Sequence, residues 1–316
     1  MKKISLMVAT YNEVNNIGPM CEALCALFQD KLKNYDYEIV IIDNNSTDGT
    51  RDKIRLLCHQ NPKIKAILNV KNFGALRSAY YGLIHTTGDC AIKLAADFQD
   101  PIEMIPQFVE EWEKGYQIVI GVKTASKESK IRYFLRSCYY KLIKKFSDVE
   151  QIEHFTGFGL YDRKFLKVCQ ELDDPIPYFR GIVAELGGER KEIAYTQPKR
   201  RSGKSKFNWY ALYDTGMLGI TSYTKIFLRL ATMAGFLLSI ISLCAAVVFL
   251  ILKLIFWSHF PTGIAPILIS LFFLSAIQLF FIGLLGEYIL NINTRVLHRP
   301  LVVEAERLNF GEEEQQ

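Results

Sequence analysis

Short β-type apolar runs alternate with stretches of helical apolar spacing along the first third of the chain. Residues 4–9, 37–42, 64–70, 90–95 and 117–121 read as strands, and residues 14–28, 47–58, 75–85 and 102–114 as helices. Such alternation predicts an α/β domain built on a parallel sheet. Ligands bind beyond the carboxyl ends of the strands in sheets of this kind. Polar clusters fall at those ends: Thr10-Tyr11-Asn12-Glu13, Asp43-Asn44-Asn45-Ser46, Lys71-Asn72-Phe73 and Asp97-Phe98-Gln99-Asp100. One such cluster is an ordinary helix cap or turn. Four along one edge point to a ligand site.

The pattern changes after residue 226. Residues 231–252 are apolar for about 22 positions, roughly 33 Å of helix, enough to cross a hydrocarbon core of about 30 Å. Residues 263–286 form a second such run, with Gln278 as its strongly polar interruption. Two transmembrane helices are therefore expected. Lys225 and Arg229 precede the first run, Arg295 and Arg299 follow the second, and the connector 257–262 has no lysine or arginine. The positive-inside rule then sets both ends on the cytoplasmic side of the plasma (cell inner) membrane, as a multi-pass protein. The expected organisation is a catalytic domain over 1–207, a juxtamembrane amphipathic segment over 208–226, a two-helix hairpin over 227–292 and a cytoplasmic tail over 293–316. The amino terminus has too short an apolar run for a secretory signal. Residues 131–146 combine apolar spacing with basic residues, and read either as an in-plane membrane helix or as a helix packed on its own domain.

Composition narrows the chemistry. A net charge of +5 without a dense basic stripe argues against a nucleic-acid partner. Seven cysteines, none in a C-x-x-C pair, read as reduced thiols. No G-x-G-x-x-G follows the first strand and no Walker lysine motif occurs, so a dinucleotide dehydrogenase and a P-loop NTPase are unsupported. The basic residues cluster instead, at Lys141, Lys144 and Lys145 and again at Lys199, Arg200, Arg201, Lys204 and Lys206. The second cluster, ahead of the apolar runs, suits a phosphate or an anionic membrane surface.

In order along nearly the whole chain, the sequence resembles family 2 glycosyltransferases of the GT-A fold, in their polyprenyl-phosphate branch. The carrying segments are Ala9-Thr10-Tyr11-Asn12-Glu13, Asp43 to Thr50, Asn72-Phe73-Gly74, Asp97-Phe98-Gln99-Asp100-Pro101, Thr156 to Tyr161, Arg180-Gly181, Arg200 to Phe207, Gly286-Glu287-Tyr288 and Arg299-Pro300. The resemblance implies a Rossmann-like, mostly parallel sheet and a nucleotide sugar held by Thr10, Tyr11, Asn12, Glu13, Asp43, Asn72 and Arg77. It implies catalytic positions at Asp97, Gln99 and Thr156, with Asp97 and Gln99 holding Mg²⁺ or Mn²⁺ on the diphosphate. It also implies a lipid phosphate bound by Arg200, Arg201, Ser205 and Lys206.

The sequence departs from the family pattern at two points. Ala95 stands where the usual Asp-x-Asp-x-Gln begins, and His154-Phe155 stand where many relatives carry an aspartate ahead of the Thr-Gly segment. A cation held mainly by diphosphate and water needs few protein ligands. A phosphate monoester, with a second pKa of about 6, is already anionic and needs no base. The expectation is thus inverting transfer of a sugar, from a UDP-sugar, to polyprenyl (undecaprenyl) phosphate at a membrane, with a homo-oligomer left open. The alternatives are a processive polysaccharide synthase, whose Q-x-x-R-W motif is absent, and a catalytically impaired relative that binds polyprenyl phosphate.

Overall fold

The computed structural model describes residues 1–125, 152–172, 174–198, 200–201, 264–297 and 299–311, with scattered helical positions between 217 and 255. The amino-terminal part alternates as the apolar pattern predicts: β1 (Lys3–Thr10), α1 (Ile17–Asp30), β2 (Asp36–Asp43), α2 (Thr50–Gln60), β3 (Ile64–Asn69), α3 (Ala75–Ile84) and β4 (Cys90–Ala95). A 3₁₀ turn leads into α4 (Ile105–Glu113), followed by β5 (Ile118–Ala125), β6 (Phe155–Asp162), α5 (Arg163–Glu171), α6 (Phe179–Leu186) and β7 (Arg190–Thr196). The last elements are α7 (Ile264–Val296) and β8 (Glu304–Leu308).

Eight strands form one sheet in the order β7-β5-β6-β4-β1-β2-β3-β8. Four adjacent pairs are parallel (β1 with β2 and β4, β2 with β3, β5 with β7) and three are antiparallel, so the parallel part is the half that carries the first three polar clusters. β1, β2 and β3 are apolar on both faces over most of their length, with Ser5, Glu38 and Lys65 as polar interruptions, because both faces are covered. On one face α1, α2 and α4 bury Leu24, Ile54 and Phe108 against Leu6, Ile39 and Leu160. On the other, α3, α5 and α6 bury Leu83, Leu166 and Val183 against Met7, Ile42 and Tyr161.

The amino-terminal ends of the strands are tied by a buried carboxylate. Glu38, 1% exposed, accepts from Ser5 Oγ at 2.6 Å, Thr87 N at 2.7 Å and Thr87 Oγ1 at 2.8 Å. It pairs with Lys3 at 2.8 Å and Lys65 at 3.0 Å. Burial alone would raise its pKa; the donors from Lys3, Ser5 and Thr87 overcome that and hold it at about 2.

Two sequence expectations change here. Residues 304–308, read as tail, form β8, which pairs antiparallel with β3. Asn309, at φ 60°, donates to Cys58 O at 2.7 Å and Ile64 O at 2.8 Å, while Arg55 grips Glu306 through two bonds of 2.9 Å. Of the two expected spans, only Phe273–Thr294, within α7, is long and apolar enough among the described residues to cross a membrane. The 231–252 run is described only at scattered helical positions, so no continuous second span is seen among the described residues. In α7, Phe273, Leu279, Phe280 and Ile289 are exposed, each above 60%.

Candidate active site

Parallel register aligns the ends of the strands. Thr10 pairs with Asp43 across β1 and β2, and Ala9 with Ala95 across β1 and β4. The loops leaving these ends are then tied to each other. Asn12, at φ 57°, donates its N–H to Ser46 Oγ at 2.7 Å and accepts from Thr47 N at Oδ1 at 2.7 Å. Asparagine tolerates this left-handed conformation better than most residues.

Asp43 is fully buried and accepts from Ser46 N at 3.0 Å and from Ser46 Oγ, with Arg51 Nε 3.7 Å away. Thr10 Oγ1 donates to Ile42 O at 3.0 Å and reaches Asp43 Oδ1 at 3.4 Å. Asn44 extends this group toward the β3 end. Its Nδ2 donates to Asn72 Oδ1 at 2.9 Å, and its Oδ1 accepts from Phe73 N at 2.9 Å and Asn69 Nδ2 at 3.3 Å. Asn72 Oδ1 also accepts from Gly74 N at 2.8 Å, which shapes the entry to α3. Arg77 follows in the first turn of α3, half-buried, and forms no hydrogen bond or ion pair among the described residues. Tyr11 is half-buried beside this group.

Glu13 and Asp97 are the acidic residues that converge. Glu13, 8% exposed, holds Asn16 Nδ2 at 2.6 Å through one oxygen and the Arg200 guanidinium through the other. Arg200 Nε lies 3.3 Å from Asp97 Oδ2. Asp97 Oδ1 accepts from Gln99 N at 3.1 Å, and Asp97 O accepts from Arg201 N at 3.3 Å. The Arg201 guanidinium lies over the Phe98 ring at 5.1 Å, with Phe98 at φ 61°. Asp100 closes this turn by accepting from Ala95 N at 3.0 Å. Burial pushes the Asp100 carboxyl up to about 6, against the pull of Lys93. Lys93, on β4, is pushed down by burial, with Asp100 opposing and Arg180 adding to the shift.

The structure thus joins Thr10, Asn12 and Asp43 into one network, which Asn44 extends to Asn72, and brings Glu13 and Asp97 together at Arg200. Thr156, the second residue of β6, shares no hydrogen bond with that network, and its buried Oγ1 and the Tyr195 hydroxyl facing it lack hydrogen-bond geometry with any partner among the described residues. Ser205 and Lys206 lie outside the described residues. Asn44, Lys93 and Asp100 are additions. Asn44 had a signal in the Asp-Asn-Asn-Ser run; Lys93 had one in being the sole charge of an apolar strand.

No group of three or more histidine, cysteine, aspartate or glutamate residues suited to a metal occurs among the described residues. The oxygen donors near the turn are the Asp97 carboxylate and the Gln99 amide, hard ligands that fit Mg²⁺ or Mn²⁺ completed by a ligand's own phosphates.

Residues 5–187 match the family model described as Glycosyl transferase family 2. A bactoprenol glucosyl transferase of Shigella phage SfV is 33% identical over 299 residues, covering 94% of this chain and 96% of that one. A prophage bactoprenol glucosyl transferase homolog of Escherichia coli strain K12 is 31% identical over 299 residues, covering 94% and 97%. Among solved structures, mannosyl-3-phosphoglycerate synthase from Rubrobacter xylanophilus superposes with a TM-score of 0.50 at 13% identity, covering 74% of this chain and 75% of that one. That last likeness concerns the fold alone.

Proposed function

The chain belongs to glycosyl transferase family 2 and is a glycosyltransferase, and from that premise we propose that it moves a monosaccharide from a UDP-sugar to a polyprenyl phosphate with inversion at the anomeric carbon. The observation that carries this reading is the seat of Arg200. The first arginine of the basic run meets Glu13 and Asp97, so the segment suited to a lipid phosphate and the acidic turn suited to a nucleotide diphosphate meet at one point. The likeness to bactoprenol glucosyl transferases over 94% of the chain supports the acceptor.

Asp43, Asn44 and Asn72 receive the base and ribose, with Thr10, Tyr11, Asn12 and Glu13 as the adjoining wall and Arg77 aimed at base or phosphate. Asp97 and Gln99 hold the divalent cation, Mg²⁺ or Mn²⁺; when bound, it neutralises charge growing on the leaving diphosphate. Arg200 then exchanges its carboxylate partners for phosphate oxygens, for which its planar donor fork is suited. The lipid phosphate oxygen attacks in line. It is ionised at neutral pH, so no residue has to take its proton, in keeping with His154 ahead of the Thr156 segment.

Connectivity supports the membrane part of this reading. The described part of the α/β domain reaches Arg201, and the chain returns to its sheet at β8. A segment that starts and ends on one side crosses a bilayer an even number of times. α7 supplies one crossing and the apolar run 231–252 the other, which supports a hairpin with the catalytic domain and both termini on the cytoplasmic side.

The test is label transfer from a panel of nucleotide sugars to undecaprenyl phosphate in detergent, with Mg²⁺, Mn²⁺ or chelator. A mild-acid-labile labelled lipid from one donor is expected. Label on a growing polysaccharide, or none from any donor, would overturn the reading.

A further inference from the structure

Lys93 is the charged residue inside β4, with a strand on either side: it faces Met7 on β1 and Gly159 on β6. Strand alternation sets it on the same sheet face as Ala95, two positions nearer the strand end. Ala9 pairs with Ala95 on β1. Lys93, Ala95 and Ala9 all touch solvent, whereas Met7 and Ala91 below them are sealed at 0% exposure. Solvent therefore reaches down this face as far as the lysine, past two methyl groups.

The side chain leans toward β6. A Cβ on Gly157 would lie 2.8 Å from Lys93 Nζ and 3.6 Å from the Phe179 ring, and Gly157 has φ 95°. The glycine is thus required twice over, by its backbone and by the lysine beside it. Phe179 begins α6 and Arg180 follows it, and the Arg180 charge adds to the lowering of the Lys93 pKa. The nearby Asp100 carboxylate already gives one oxygen to Ala95 N. Lys93 Nζ, with three donors, makes no hydrogen bond among the described residues.

A half-buried lysine reached by solvent, reinforced by an arginine and without a hydrogen-bond acceptor among the described residues, suits an anion. We propose that Lys93, with Arg180 beside it, forms an inner subsite for a phosphate monoester, the reacting group of the acceptor. This rests on the polyprenyl-phosphate reading given above. The subsite lies toward β6, away from the β1–β3 half that carries Asp43, Asn44 and Asn72, so it is set apart from the donor's base and ribose, and the separate UDP measurement below distinguishes it from the donor diphosphate at Asp97. Two of the phosphate oxygens are held and the third is turned toward the sugar, which is orientation rather than proton transfer. The same geometry gives Ala95 a role. An aspartate there, as in the family pattern, would stand on the route to Lys93 and compete for its ammonium.

The experiment uses the full-length enzyme in detergent, with undecaprenyl phosphate as acceptor and UDP binding measured separately by calorimetry. Lys93→Met and Arg180→Gln are each expected to raise the acceptor KM by about 10- to 100-fold, the range for a lost charged hydrogen bond, with UDP affinity within about twofold of wild type. Ala95→Asp leaves Lys93 in place and is expected to raise the acceptor KM while UDP affinity holds. An unchanged acceptor KM in the first two variants overturns the proposal, and so does a fall in UDP affinity in step with it, which would assign the lysine to the donor diphosphate. Faster transfer by Ala95→Asp also overturns it. If wild type labels no polyprenyl phosphate, the acceptor reading fails by itself. Thermal stabilisation by citronellyl phosphate, compared between wild type and Lys93→Met, then decides the subsite: a shift lost in the variant upholds it, and an equal shift in both overturns it.

Discussion

Arg200 Nε stands 3.3 Å from Asp97 Oδ2, so a residue of the basic run neutralises the carboxylate expected to serve the donor. Opposite charges at such a distance are held until a competing ion arrives. Asp97→Ala is expected to lower kcat/KM by about 100-fold or more, in line with the loss of a transition-state charge stabiliser. Its residual rate should respond little to Mn²⁺. A variant that keeps the wild-type metal response in a label-transfer assay would remove Asp97 from the cation site.

Asn44 ties the end of β2 to the loop before α3 through Asn72. Asn44→Ala removes the acceptor of Phe73 N and Asn69 Nδ2 together with the donor to Asn72. Three neutral bonds of roughly 1 kcal/mol each are at stake, shared between folding and donor binding. UDP affinity should fall about tenfold by calorimetry. Unchanged affinity would show that the loop keeps its shape without this side chain.

Glu38 links stability to pH at the other edge of the sheet. Its folded pKa of about 2 lies below the 4.5 of an unperturbed glutamate. The folded state therefore binds fewer protons than the unfolded one between these values, and its stabilisation is complete above pH 4.5 and lost as pH falls toward 2. The contribution is on the order of 3 kcal/mol. Glu38→Gln should lower the melting temperature at pH 7 and flatten the acid limb of the stability curve. An acid limb identical to wild type would assign it to other carboxylates.

β8 is held by Asn309 through two carbonyls and a left-handed backbone. Asn309→Ala loses both donors and adds strain, a cost of about 2 kcal/mol. Denaturant unfolding should show it, and limited proteolysis should cut the segment before β8 more readily than in wild type. If neither changes, β8 is docked by the Arg55–Glu306 pair instead.

The apolar pattern of the parallel half was legible because strands such as β2 and β3 are buried on both faces and flanked by helices of clear amphipathic spacing. β6 and β7 were not drawn from the pattern: β6 reads Phe-Thr-Gly-Phe-Gly-Leu-Tyr-Asp, whose glycines blur any alternation. β8 is harder still, since Glu-Ala-Glu-Arg-Leu has no β signature and becomes a strand through the open edge of β3 and the ion pair with Arg55.

At the site, chain order and apolar period alone show which polar residues lie at strand ends, because both are local properties. The placing of Thr10, Asp43 and Asp97 on one edge follows from that order. That Arg200 meets Glu13 and Asp97, that Thr156 faces Tyr195 and that Lys93 reaches Gly157 came from the folded arrangement. Those pairings join residues far apart in the chain, and their partners are chosen by strand order and side-chain reach, which no local pattern records.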